Sequence, residues 1–317
     1  MKYVKINSRY DKGENVFFFS DCPFCTQCLE FMEEQTKTVK QCPVCTLPIR
    51  FEEFYEKDWF GVEKKYAVVG DLQGESFIEN GYVVENGTLV RYEGTETVLK
   101  FPDKILSIGD YVFENRTEIK EALLPKGLLH IGYGAFEGCL NLKKVQIADG
   151  LLTMGHGAFS GCRKLEAVKI PPSLRACGYE LFKDCENLEE AELPMDMEYV
   201  SGSPYRNCKK LKRANVPHYV TDFSRWFEGC ESLEVVAFGR GVDRIEYMKF
   251  PKLKEAYFFE TEEWKKVGSH FPAEKLKDPK KAAQLLKKYA LEKTSLYIPT
   301  KRKPMSGIWE RYKLYNL

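Results

Sequence analysis

Five cysteines fall within 24 residues near the amino end, in 22-CPFCTQCLEFMEEQTKTVKQCPVC-45. A C-P-x-C turn brings two sulfurs to one point, and two such turns folded together supply the four tetrahedral thiolates that zinc takes. Cys22, Cys25, Cys42 and Cys45 give the spacing C-x2-C-x16-C-x2-C, within the range of structural zinc sites. Cys25, Cys28, Cys42 and Cys45 give C-x2-C-x13-C-x2-C, so Cys28 is an alternative ligand. The pattern predicts one structural zinc ion. Catalytic dithiol chemistry ranks below metal, because it belongs at the start of a helix in a βαβ setting, where the helix dipole lowers a thiol pKa. A segment of 60 residues with few aliphatics needs such a staple to fold, so metal binding would contribute folding energy directly.

Elsewhere the chain offers little for catalysis. It has no Gly-rich phosphate loop leading into a helix, no G-x-S-x-G elbow and no H-E-x-x-H. The four histidines, His130, His156, His218 and His270, share no phase, and three of them are expected in turns or at exposed positions. These features predict a non-catalytic protein. The only early apolar run, Val16-Phe17-Phe18-Phe19, is too short for a signal peptide, and no stretch approaches the roughly 18 apolar residues of a membrane span. A soluble, cytoplasmic chain with no membrane partner is expected, in which eleven cysteines serve as thiols and ligands rather than disulfides.

The elements that must carry any site are set by an internal repeat. An aromatic recurs at Phe113, Phe136, Phe159, Phe182, Tyr205 and Phe227, in four steps of 23 and one of 22. Cysteine follows three residues behind at Cys139, Cys162, Cys185, Cys208 and Cys230, and an aliphatic keeps phase from Ile119 to Leu253. The best-ordered pieces are short and strand-like: IKEALL, LKKVQI, LEAVKI, LEEAEL, LKRANV, LEVVAF and LKEAYF, apolar at positions 1, 4 and 6. Pro125, Pro171, Pro194 and Pro217 end four of them, since proline cannot donate to a ladder. A unit of 23 residues cannot bury such a face alone, but stacked units can. The stacked repeat cysteines are read as small core residues with a weak S–H donor, not as a metal ladder.

These repeats, IGYGAFEGCLNLKKVQI from Ile131 and MGHGAFSGCRKLEAVKI from Met154, resemble the BspA-like leucine-rich repeat family. The resemblance implies a leucine-rich repeat solenoid: a right-handed coil with one parallel β-strand per repeat, mainly β with short turns. It also implies adhesion or protein interaction. The amino-terminal stretch CPFCTQCLEFMEE…CPVCTLPI resembles the second half of a RING finger. That fold needs eight ligands on two zincs, whereas residues 1–60 hold five cysteines and no histidine. Zinc ribbons are similar in their CPxC knuckles and need only one zinc. Four segments are expected: a zinc-ribbon-like module at 1–60, a linker and β-hairpin entry cap at 61–98, about seven repeats at 99–262 and a basic helical cap at 263–317. The Asn86-Gly87 pair is a strong signal for the entry hairpin.

Outward strand positions of the solenoid form the surface expected to be concave and to bind a protein partner. Lys144, Lys169, Glu190, Glu192, Arg213 and Tyr257 are the candidate contacts. Residues 271–317 carry twelve Lys/Arg and four Asp/Glu, so that the whole-chain charge of +1 leaves −7 on the first 270 residues. Asp278-Pro279 is a helix start, and the aromatic and basic tail behind it is read as an end cap. Two alternatives rank second: nucleic-acid binding by zinc module and basic tail, and a ligase-like adaptor with a degenerate RING-like module.

Overall fold

The computed structural model describes residues 74–220 continuously, most of 223–239, and shorter stretches on either side, chiefly strands. The described residues contain strands and turns and no helix. Each unit of the coil crosses two parallel sheets. One is built from Ser107–Ile108, His130–Ile131, Thr153–Met154, Ala176–Cys177 and Tyr199–Val200, paired at a constant offset of one repeat. The other begins with Val98–Lys100, Glu121–Leu123 and Lys144–Gln146. It narrows to single bridges at Ala167 and Glu190, then widens again through Arg213–Val216, Val235–Phe238 and Glu255–Phe258. We call these the turn-side sheet and the repeat-strand sheet. The second coincides with the strand-like pieces read from the sequence, whose positions 1, 4 and 6 are buried in Ile119, Ala122 and Leu124 and again in Leu165, Val168 and Ile170.

The predicted entry hairpin is present. Asn86 and Gly87, at φ +47° and +73°, turn Tyr82–Glu85 into Thr88–Tyr92, the conformation that this dipeptide favours. Asn80-Gly81 makes a second turn of the same kind before it, from Phe77–Glu79 into Tyr82–Glu85. The hairpin extends the turn-side sheet and covers its open end.

Between the sheets the repeated aromatics form one continuous stack. Phe113 and Phe136 lie 4.9 Å apart at 12°, Phe136 and Phe159 5.2 Å apart at 5°, and the series continues through Phe182, Tyr205 and Phe227. Five of these rings are completely buried. Each thiol behind them donates to the preceding unit: Cys139 to the carbonyl of Phe113, Cys162 to Phe136 and Cys185 to Phe159, all at 3.1 Å. Cys208 and Cys230 do the same to Phe182 and Tyr205 at 3.0 Å. The thiols are thus core donors, as the sequence suggested. The residue before each of them, and Asn115 before Arg116 at the equivalent position of the first unit, is left-handed, with φ between +57° and +77° at Asn115, Gly138, Gly161, Asp184, Asn207 and Gly229. Only glycine, asparagine and aspartate occupy that column, the residue types that tolerate this conformation.

At the carboxyl end, the run expected as a helix from Asp278 lies outside the described residues. In the tail expected as helical cap, two described stretches are instead strands. Ser295–Ile298 adds parallel to Glu255–Phe258, and Lys313–Tyr315 adds antiparallel beyond it. The alternating SLYI and KLY sequences suit the edge of an existing sheet better than an isolated helical turn.

Burial raises every repeat thiol: Cys139, Cys177 and Cys230 from the ordinary 9.0 to about 12, and Cys162, Cys185 and Cys208 upward as well. Unfolded thiols ionise above pH 9 while the folded ones stay protonated, so the unfolded state loses protons first and stability falls as pH rises. The expected loss is on the order of 1.4 kcal/mol per pH unit for each thiol across pH 9 to 12. Denaturant titrations in that window should show the fall. Iodoacetamide at pH 8 should leave these six cysteines unlabelled until the chain is unfolded; rapid labelling of the folded protein would contradict the assignment.

Candidate functional site

Outward residues of a sheet covered by nothing should be exposed, and the two sheets differ on this point. On the repeat-strand sheet Lys144, Gln146, Ala167, Lys169 and Glu190 are exposed, and Glu192 and Arg213 are half-buried. On the turn-side sheet Ser107, His130, Thr153 and Ala176 alternate with the core residues Ile108, Ile131, Met154 and Cys177, yet all four are buried. The outer face of the turn-side sheet is therefore covered. His130 was expected at an exposed or turn position; it lies in a strand, 1% exposed, and its Nδ1 shares a 2.6 Å hydrogen bond with Thr153 Oγ1. His218 lies in a turn, as expected, but is buried there, with Nε2 3.8 Å from Asp196.

Phe24 shows what part of that cover is. It lies between Cys22 and Cys25, is 3% exposed, and meets the His130 ring edge-on at 5.2 Å and 72°. The hairpin of Asn15–Asp21 and Cys28–Met32 closes with Asp21 opposite Cys28, bracketing residues 22–27. A bridge between Gln41 and Pro48 brackets residues 42–47 in the same way, and Cys42 N–H donates to the Leu47 carbonyl at 2.9 Å. The two six-residue segments, CPFCTQ and CPVCTL, are thus bracketed at equivalent positions. In this register Cys28 corresponds to Pro48, a bracketing position, and not to a loop cysteine. Cys42 is fully buried, with Leu47 and Ile49 beside it in sequence also buried. Cys22, Cys25 and Cys45 lie outside the described residues. Among the described residues no three His, Cys, Asp or Glu side chains gather as a metal site.

The partner-facing residues expected from the sequence are brought together in part. Where the repeat-strand sheet narrows, a cavity of about 1130 Å³ opens, and Lys169, Glu190, Glu192 and Arg213 line it with Arg175 and His218. Lys144 stands on the same exposed face but does not line the cavity. Tyr257 occupies the strand position opposite Ala237 and Tyr297, and its side chain lies outside the described residues. Positive and negative groups are paired across the cavity: Arg213 Nε stands 3.6 Å from Glu192 and Arg175 makes a 3.1 Å pair with Glu198. Such solvent-facing pairs contribute little to stability and leave their charges available to a partner.

Asn215 explains why the sheet narrows without collapsing. It follows Glu192 by one repeat, in the same outward column, but it is fully buried. Its side-chain oxygen accepts from Leu193 N–H at 2.8 Å and its Nδ2 donates to the Leu193 carbonyl at 2.6 Å. The amide thus replaces a missing rung of the ladder just before Pro194. Sequence reasoning missed this residue, although an asparagine among VKI- and VQI-type strands is a visible exception.

Two parallel sheets per coil, an aromatic stack and thiol-bonded turns define a leucine-rich repeat solenoid. The sequence matches the BspA type Leucine rich repeat region in six copies, over residues 92–212 and 130–257, and the chain belongs to that family. Among solved structures, a leucine-rich repeat protein from T. pallidum is 23% identical, over 58% of this chain and 84% of that one, with a TM-score of 0.46. One from Bacteroides ovatus is 20% identical over 61% and 64%, TM-score 0.40. A leucine rich cell surface protein from Faecalibacterium prausnitzii is 18% identical over 58% and 70%, TM-score 0.41. A comparison with curated proteins gives no match. No helix among the described residues is long and apolar enough to cross a membrane.

Replacing Asn215 with alanine should strand the Leu193 N–H and carbonyl at a buried position. The expected destabilisation is about 2 to 4 kcal/mol, read from urea unfolding. Asparagine to aspartate retains only the acceptor and should be no better. An unchanged midpoint for Asn215→Ala would show that water replaces the amide without cost.

Proposed function

We propose that this chain is a non-catalytic protein-interaction module. It receives a protein partner on the exposed outer face of the repeat-strand sheet, around the cavity lined by Lys169, Glu190, Glu192 and Arg213. The observation that carries this reading is the contrast in burial between the two sheets. With the turn-side sheet covered, the repeat-strand sheet from Lys144 to Arg213 is a strand surface left open among the described residues, while Asn215 and Ala237 beyond it are buried. Lys144 extends the contact along one column, and the mixed charges favour a partner with complementary alternating charge rather than a uniformly basic or acidic one.

A photo-crosslinking residue placed at Lys169 or Glu190 in the full chain should trap a discrete protein adduct in the native cell. The same residue at Glu93 in the entry hairpin should not. With the trapped partner purified, Lys169→Glu together with Arg213→Glu should weaken binding by at least about tenfold, given the penalty for like charges at an interface. Equal trapping from all three positions would remove the sheet as the contact surface.

In the same reading, one zinc ion held by Cys22, Cys25, Cys42 and Cys45 staples the amino-terminal module. The equivalent bracketing of the two CPxC loops supports this set over the one containing Cys28. When bound, zinc would supply four metal–thiolate bonds that join loops distant in sequence. Metal analysis of the full chain should find about one zinc, retained in Cys28→Ser and lost in Cys42→Ser. Loss in both variants would transfer the assignment to the alternative set.

A further inference from the structure

The last position of each repeat strand offers its N–H toward the next coil, and the outcomes can be compared in one register. Leu124 N–H donates to the Gln146 carbonyl at 3.0 Å, an ordinary rung of the ladder. Leu193 N–H donates instead to the side-chain oxygen of Asn215 at 2.8 Å, and Asn215 Nδ2 returns a bond to the Leu193 carbonyl at 2.6 Å. Ile170 holds the same position between these two, and among the described residues nothing pairs with its N–H or its carbonyl. Pro171 follows Ile170 as Pro194 follows Leu193, so neither strand can carry the ladder further.

Ile170 is only 8% exposed and its side chain packs in the core, which leaves backbone as the part of it that lines the cavity. Backbone donors and acceptors at buried positions are satisfied by protein, by ordered water or by a ligand. Ile147, one coil earlier, also has no partner among the described residues, but it is half-buried and stands outside the cavity, where solvent serves it. The residue placed to complete the Ile170 rung is Glu192, which stands to Ile170 as Asn215 stands to Leu193. A carboxylate has no N–H for the Ile170 carbonyl, and Glu192 faces Arg213 Nε at 3.6 Å instead.

An N–H and a carbonyl on one residue call for an acceptor and a donor held side by side. A primary carboxamide carries both on one rigid group, whereas a carboxylate lacks the donor and a guanidinium the acceptor. A trans backbone peptide points its N–H and carbonyl in opposite directions and can serve only one of the two. Asn215 shows that a carboxamide fits this geometry one coil further along the same solenoid.

We propose that the cavity selects a protein partner that presents an asparagine or glutamine side chain, whose carboxamide bonds the Ile170 N–H and carbonyl as Asn215 bonds those of Leu193. This rests on the reading of the repeat-strand face as the partner surface, and it adds a directional anchor to the charges of Lys169 and Arg213.

The test uses the full chain with isotope-labelled isoleucine amides, and propionamide as a glutamine side chain without its backbone. The Ile170 amide resonance, assigned with Ile170→Val, should shift with propionamide, while that of Ile147 follows only the change of bulk solvent. Propionate, which lacks the donor, should not shift Ile170 beyond Ile147. Glu192→Asn places a carboxamide one repeat before Asn215; it should fill the pair from within, raise the urea midpoint and weaken the propionamide response about tenfold, the worth of two net hydrogen bonds. Glu192→Ala removes the same carboxylate without supplying an amide and should keep the response. An Ile170 signal that only follows Ile147, an equal shift with propionate, or a full response in Glu192→Asn would overturn the proposal. Because no partner is present in this experiment, its failure and the failure of crosslinking at Lys169 are separate results.

Discussion

Everything in this solenoid depends on how one coil is fixed to the next through its interior. A flat aromatic ring at the same position in every unit can stack face to face only if neighbouring coils keep one distance and one register. The rings do so, at centroid separations of 4.9 to 6.2 Å and angles of 15° or less from Phe113 to Tyr205. Each ring pair adds roughly 0.5 to 1.5 kcal/mol beyond its buried area. The thiol three residues later then bonds the carbonyl of the ring before it, so the same turn is held by packing and by a directional bond. Each of these carbonyls also accepts a backbone N–H from its own turn, so the thiol adds a second, weak donor from the next coil, and a small residue with an S–H suits this position.

That register is stricter in the core than at the surface, and the difference creates the binding face. Coils that stack without slipping place outward residues in columns automatically. Prolines at the ends of the repeat strands, Pro171 and Pro194, prevent the ladder from continuing, so the sheet narrows to single bridges while the core below stays continuous. The gap would expose polar backbone to an apolar neighbourhood. Asn215 removes that problem by supplying an amide that imitates the missing backbone, and Tyr205 does similar work from within by donating to the Ala191 carbonyl at 2.6 Å. The cavity is thus a by-product of ladder termination that two polar side chains make affordable.

The sequence made legible whatever the coil demands in every unit. Aromatic, cysteine and aliphatic columns recur because the same packing problem recurs, and reading them gave the solenoid, the strand faces, the inert role of the thiols and the Asn86-Gly87 turn. The neighbouring Asn80-Gly81 turn carried the same signal six residues earlier. What recurs only once was hidden. Phe24 looks like a loop residue until it is seen against His130, and the burial of Ser107, Thr153 and Ala176 has no periodic mark because it arises from outside the repeat. Asn215 belongs with these, an exception to a pattern whose physical reason requires its partner's position.

The unequal treatment of the two sheets bears on how the amino-terminal module relates to the solenoid. A polar column of serine, histidine and threonine could remain in water at no cost, so its burial demands that its hydrogen bonds be met and that something apolar lie over it. His130 and Thr153 meet each other's needs at 2.6 Å, and Phe24 supplies an apolar ring against the imidazole. Phe24 is therefore part of the solenoid's outer packing. That cover leaves the repeat-strand face, from Lys144 to Arg213, as the side on which charged residues stay open.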